Sequence, residues 1–188
     1  DFWLAIGKPA EAEALSFLEN AGVGHGQRIV YVNPATRWAT KFWSDRAWAE
    51  LADKLIHELN VVVTFGGAPA ELNYLDLIVS HMKQKPLVAA GRLRLMGAAA
   101  LIKASSLYVG VDSGPMHIAA LLGCPIVALF GPTDPAKVGP YGKGHVVVRK
   151  EELPCLGCRK SNCSDKRCLN GISAGQVFEE IRGLTGWN

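Results

Sequence analysis

The sequence predicts an α/β domain built on a parallel sheet that is covered on both faces. Three observations carry this. Short apolar runs alternate with helical patterns along the whole chain. The runs are continuous in Val, Ile and Leu, as strands buried on both sides are. Their carboxyl ends open into small and polar residues, Asp112-Ser113-Gly114 after Leu107–Val111 and Gly131-Pro-Thr-Asp-Pro135 after Pro125–Phe130. In open parallel sheets, ligands sit in the crevice outside those ends. The expected arrangement is Rossmann-like and doubly wound, with about six strands.

In chain order, Pro9–Asn20 places Ala14, Leu15, Phe17 and Leu18 among glutamates, with Gly22 as a stop, and predicts an amphipathic helix. Gly22-Val-Gly-His-Gly26 resembles a glycine fingerprint but precedes a strand, which argues against a dinucleotide loop. Arg28–Val32 reads as the first strand, followed by the polar and aromatic loop Asn33–Trp43. Ser44 caps a helix whose apolar positions from Ala47 to Leu59 keep a 3.6-residue rhythm. Val61–Phe65 is the second strand, and Gly66–Glu71 its edge loop. Leu72 to Met82 forms a third helix, Leu87–Ala90 a short strand and Met96–Ser105 an Ala-rich helix. A short apolar helix beginning at Gly114 or Pro115 separates the next two strands. Gly131–Gly142 is a loop dense in Pro and Gly, and such long loops are usually functional or disordered. Val146–Val148 completes the strands. Ser173-Ala-Gly-Gln176 reads as a capping box opening the last helix.

With 188 residues, 49% hydrophobic and 20% charged, the chain can bury a full core. A net charge of +3 without a Lys/Arg block gives no footprint for nucleic acid. The longest apolar run, Ile118–Phe130, is interrupted by Gly123 and Pro125 and is shorter than the roughly 18 residues of a membrane span. The first residues, Asp1-Phe2-Trp3-Leu4, lack the pattern of a signal peptide and any initiating Met, so a piece of something longer is expected. Residues 1–27 read as an interdomain linker and leading helix, and residues 28–188 as the binding domain.

Three spaced segments carry a family resemblance: Val111-Asp-Ser-Gly-Pro-Met-His-Ile-Ala-Ala120, Pro125-Ile-Val-Ala-Leu-Phe-Gly-Pro-Thr-Asp-Pro135 and Val138-Gly-Pro-Tyr-Gly142. Together with the Asn33–Trp43 and Gly66–Glu71 loops they resemble glycosyltransferase family 9, the ADP-heptose:lipopolysaccharide heptosyltransferases. The similarity runs from Arg28 to Ile181. It implies the C-terminal, donor-binding half of a two-domain GT-B fold, with the acceptor site and catalytic base in an N-terminal half outside this sequence. It further implies an inverting glycosyltransferase moving heptose from ADP-heptose to the lipopolysaccharide inner core. The implied location is cytoplasmic, at the inner face of the inner membrane, with peripheral membrane contact left to the full-length enzyme. A non-catalytic nucleotide-binding module, or a transferase with another nucleotide-sugar donor, is the alternative.

A nucleotide-sugar donor leaves negative charge on the departing diphosphate, so the site needs donors and a cation there. Ser113, the amides from Gly114 onward and Thr133 are suitable neutral donors, and a helix N-terminus favours phosphate oxygens. Lys41 supplies the cation and is the expected catalytic residue. The resemblance implies that Thr36 and Lys41 reach the phosphates; the residues alone equally allow a turn-capping Thr36 and a solvated Lys41. The family loop often carries two adjacent hydroxyl residues here. In this chain Ala35 precedes Thr36, with Thr40 as a candidate substitute. Asp112 is expected to brace its own turn or to face sugar hydroxyls, since like charges keep it from phosphate. His117 either faces the donor or is a core histidine. Glu71 is implied as the ribose ligand and Leu93 as an apolar contact for the base. No metal or other cofactor is required, because lysine and helix amides can hold the diphosphate.

Two further constellations stand outside the nucleotide reading. Asp112, Ser113 and His117 superficially resemble a hydrolase triad, but packed within six residues they cannot set His between the other two. Cys155, Cys158, Cys163 and Cys168 have spacing short enough for a tetrahedral metal site, with free thiols as the alternative; Cys124 sits in an apolar turn and reads as core.

Overall fold

The structure is a computed structural model that describes residues 4–188. The first three residues, used above to argue against a signal peptide, lie outside the described residues. The chain runs α1 (Lys8–Asn20), β1 (Ile29–Asn33), α2 (Asp45–Leu59), β2 (Val62–Phe65), α3 (Leu72–Ser80), β3 (Leu87–Val88), α4 (Leu95–Ala104), β4 (Leu107–Val111), α5 (Gly114–Leu121), β5 (Ile126–Leu129), α6 (Pro135–Val138), β6 (His145–Val148), α7 (Arg167–Asn170) and α8 (Ala174–Thr185). The six strands pair in parallel in the order β3-β2-β1-β4-β5-β6. The order reverses direction between β1 and β4, and that seam is where such sheets open a ligand crevice.

Alternate strand residues feed two cores, as the period of a strand requires. Val30, Val32, Val63, Phe65, Val109 and Val127 pack on one face with α2, α3 and α8. Ile29, Tyr31, Tyr108, Ile126 and Ala128 pack on the other with α1, α4 and α5. Helix α1 lies against α4 through Ala10, Ala14 and Leu18, so the leading helix belongs to the sheet's second layer.

Several sequence expectations shift. The strand expected over Leu87–Ala90 is shorter, Leu87–Val88, with the Ala89 amide still donating to the Phe65 carbonyl of β2 at 2.8 Å. The Gly131–Gly142 loop contains α6, one turn started by Pro135 and capped by Asp134, whose Oδ1 accepts from the Ala136 amide at 3.0 Å. Ser173 caps α8 by accepting from the Gln176 amide at 3.1 Å. Ser44 caps α2 more loosely, at 3.4 Å from the Ala47 amide. None of the described helices is long and apolar enough to cross a membrane.

Candidate functional site

The site is built from loops that leave neighbouring strands at their carboxyl ends. The β1 loop is anchored by aromatics: Trp43 is buried, packs edge-to-face on Trp48 at 4.8 Å, and donates from Nε1 to the Ile172 carbonyl at 2.9 Å. Tyr74 Oη donates to the Trp43 carbonyl at 3.2 Å. This fixes the short turn Ala39–Lys41 and delivers Lys41 across the seam to Asp112, with Nζ 2.7 Å from Oδ2. The indole of Trp38 lies 4.5 Å from the same ammonium. Lys41 is therefore held on a carboxylate and an aromatic face, not solvated. Of the two expectations for Asp112, the turn brace is not formed among the described residues; its carboxylate holds the lysine.

The β4 strand ends at Val111, and α5 begins at Gly114 with Pro115 in its first turn, as the sequence predicts. Proline there sacrifices no helical hydrogen bond. Ser113 is the residue before the helix, with its side-chain oxygen 3.5 Å from Asn33 Nδ2. Thr36 Oγ1 donates to the Asp112 carbonyl at 3.4 Å, tying the β1 loop to the β4 bend. Thr40 does not stand in for the missing hydroxyl: it is buried, and its Oγ1 donates to the Lys160 carbonyl at 2.7 Å.

A crevice of about 640 Å³ opens between these loops. Thr36, Lys41, Asp112, Ser113, Gly114 and His117 line it together with Glu71 and Leu93 at the β2 and β3 side. Thr133 is the candidate that it does not include. Thr133 lines an adjoining lobe of about 350 Å³, which shares Trp38, Lys41, Asp112 and His117 with the larger one. His117 is exposed at the start of α5 and borders both lobes, so it is no core histidine. Glu71 already accepts the Ala68 amide through Oε2 at 2.7 Å.

Sequence reasoning missed the floor of the crevice. Tyr31 and Tyr108 stack at 5.9 Å beneath it, and burial, then the nearby Glu71 carboxylate, push the Tyr31 phenol up from its ordinary value. A Cβ on Gly66 would overlap Tyr31 Oη, which is why glycine follows β2. Asn33 also lines the crevice; its Oδ1 is buried without a partner, as is Thr133 Oγ1 in the smaller lobe. Such orphaned atoms are uncommon in folded proteins and point toward a ligand. Asn33 was legible in principle, being a polar residue at a strand's carboxyl end. Among the described residues no three His, Cys, Asp or Glu side chains are grouped to hold a metal ion, and all five cysteines are free.

The sheet order and the crevice at its reversal define a Rossmann-like domain, one half of a GT-B glycosyltransferase fold. The description "Glycosyltransferase family 9 (heptosyltransferase)" matches residues 4–169, and the chain belongs to that family. It is 35% identical over 169 residues to a lipopolysaccharide heptosyltransferase 3 of Escherichia coli, covering 89% of this chain and 49% of that protein. It superposes on the crystal structure of a family 9 glycosyl transferase from Veillonella parvula with a TM-score of 0.88 and 28% identity, covering 97% of this chain and 53% of that one. The E. coli heptosyltransferase WaaC with ADP matches with a TM-score of 0.68 and 26% identity, over 91% of this chain and 48% of that one. The chain thus spans about half the length of the relatives it matches.

Proposed function

We propose that this chain is the donor-binding half of an inverting glycosyltransferase that transfers heptose from ADP-heptose to the inner core of lipopolysaccharide. The observation that carries this reading is the Lys41–Asp112 pair set beside the start of α5 in one crevice with Glu71 and Leu93. The names of the relatives support the substrate class, since they are lipopolysaccharide heptosyltransferases and one is solved with ADP. In this reading the base lies against Leu93, the ribose hydroxyls meet Glu71, and the diphosphate rests on Ser113 and the Gly114 amide end of α5. Thr36 and His117 flank the phosphates.

As the bond between the sugar's anomeric carbon and the diphosphate breaks, charge grows on the leaving phosphate oxygen. Lys41 and the α5 dipole stabilise that charge in a site shielded from water. Hydrogen bonds to charged groups contribute about 1.5–3 kcal/mol each, so three or four sustain a micromolar affinity of about −8 kcal/mol. On the same reading the acceptor oligosaccharide and the catalytic base are supplied by a second domain outside this chain. The enzyme then works in the cytoplasm at the inner face of the inner membrane.

Calorimetric titration with ADP, UDP, GDP and CDP tests the proposal. Preference for ADP supports it, preference for another nucleotide moves the donor, and no binding by any of the four leaves a non-catalytic module.

A further inference from the structure

The floor of the crevice carries a phenol that the fold itself does not use. Tyr31 lies on the central strand β1, opposite Thr64 of β2 and Tyr108 of β4. Its ring is 2% exposed and stacks on Tyr108 at 5.9 Å, with 15° between the planes. Phenylalanine would meet that packing, and a buried tyrosine hydroxyl ordinarily finds a hydrogen-bond partner. The Tyr31 hydroxyl has none among the described residues. Of the two stacked tyrosines only Tyr31 lines the crevice, whereas the Tyr108 hydroxyl is sealed within the protein.

Two glycines after β2 shape the space around that hydroxyl. A Cβ at Gly66 would overlap Tyr31 Oη, and one at Gly67 would sit 2.7 Å from Glu71 Oε2. The glycine pair thus lets a phenol and a carboxylate approach the same edge of the crevice. Burial, then the Glu71 carboxylate, raises the Tyr31 phenol, so its oxygen keeps its proton at neutral pH. Glu71 spends Oε2 on the Ala68 amide at 2.7 Å, which leaves Oε1 as an open acceptor. One side offers a proton and the other accepts one, the complement of an alcohol, which does both. A phosphate oxygen or a base carbonyl can accept from the phenol but has no proton for the carboxylate.

We infer that Tyr31 is a specificity-determining residue: its hydroxyl donates to one ribose hydroxyl of the bound nucleotide, which in turn donates to Glu71 Oε1. This rests on the nucleotide reading above and adds a second side to the ribose contact. A site built to bond a hydroxyl rejects the analogue that lacks it, because its own buried groups are then left unpaired. The chain therefore selects ribonucleotide over deoxyribonucleotide at the position that Tyr31 touches.

The test is calorimetry on this chain with ADP, 2′-deoxy-ADP and 3′-deoxy-ADP, for wild type and Tyr31→Phe. Wild type is expected to bind one of the two deoxy analogues roughly tenfold more weakly than ADP. Tyr31→Phe keeps the ring and its stack on Tyr108, so its thermal midpoint is expected to hold or rise. The variant should weaken ADP by roughly three- to ten-fold and change that analogue by less than about twofold. A merely structural tyrosine would lower all three nucleotides together. Equal losses for the three, or unchanged ADP affinity, overturn the ribose contact and leave the nucleotide site standing. Equal affinity of wild type for ADP and both analogues overturns it without any variant. Absence of ADP binding in the wild type overturns the nucleotide reading and this inference with it.

Discussion

Lys41 and Asp112 meet at 2.7 Å and join loops 71 residues apart across the β1–β4 seam. Their side chains are only 15% and 9% exposed, so the pair is shielded from solvent and salt. On the proposed reading an incoming diphosphate shares the ammonium with a carboxylate that repels it. Asp112→Asn keeps the shape and removes that competition. ADP affinity is expected to rise by roughly three- to ten-fold, about 0.7–1.4 kcal/mol. A tenfold loss in the same titration would instead give Asp112 a direct contact with the nucleotide.

Lys41→Ala removes the cation and leaves Asp112 unpaired. One charged hydrogen bond of about 1.5–3 kcal/mol corresponds to a loss of roughly ten- to a hundred-fold for ADP. Adenosine, which lacks the phosphates, is expected to bind almost unchanged. Equal losses for the two ligands would take Lys41 out of the phosphate site.

Gly66→Ala and Gly183→Ala should act in opposite directions. A methyl at Gly66 runs into Tyr31 Oη under the crevice, and overpacking of that kind costs about 1–3 kcal/mol. The thermal midpoint should fall by roughly 2–4 °C per kcal/mol for a chain of this size. Gly183 lies within α8, and a methyl there meets nothing within 4 Å. Its replacement should stabilise by about 0.5–1 kcal/mol, because helical glycine carries excess unfolded-state entropy. Calorimetric melting of the two variants beside wild type decides both.

Stability should also decline at alkaline pH. Burial lifts the Cys124 thiol from its ordinary 9.0 to about 12, opposed in part by a backbone hydrogen bond from Tyr108. Between those values the unfolded chain releases a proton that the folded chain keeps. The stabilisation is therefore complete below pH 9 and is lost as pH climbs toward 12. Tyr31, Tyr74 and Tyr108 are raised the same way, each chiefly by burial, and add to the decline above their ordinary 10.0. Urea midpoints at pH 8, 9, 10 and 11 should fall progressively, with Cys124→Ala flattening the segment between pH 9 and 10. A flat profile in wild type would contradict the buried assignments.

What the sequence disclosed depended on range. The strand Leu107–Val111 and the helix start at Gly114 were legible because apolar continuity and the Gly-Pro start are local signals. The turns Pro135–Val138 and Arg167–Asn170 were not, since four residues are too few to show a helical period. The edge strand shrank to Leu87 and Val88 because its ladder on β2 ends once the Ala89 amide has donated to the Phe65 carbonyl at 2.8 Å. Thr36, Lys41 and Ser113 line one crevice, while the partner of Lys41 was not legible. Nothing in the loop Asn33–Trp43 announces a carboxylate that arrives only when β4 zips against β1. Thr40 illustrates the same point: its hydroxyl is spent on a carbonyl 120 residues away.

That placement of β4 beside β1 has a kinetic corollary. On the proposed reading no early stretch of the nascent polypeptide can grip a nucleotide, because the loops that line the crevice become neighbours only after the central pair of strands has docked. Ligand capture is thus a reporter of completed folding, and saturating ADP should raise the melting temperature of the whole domain instead of protecting one local patch.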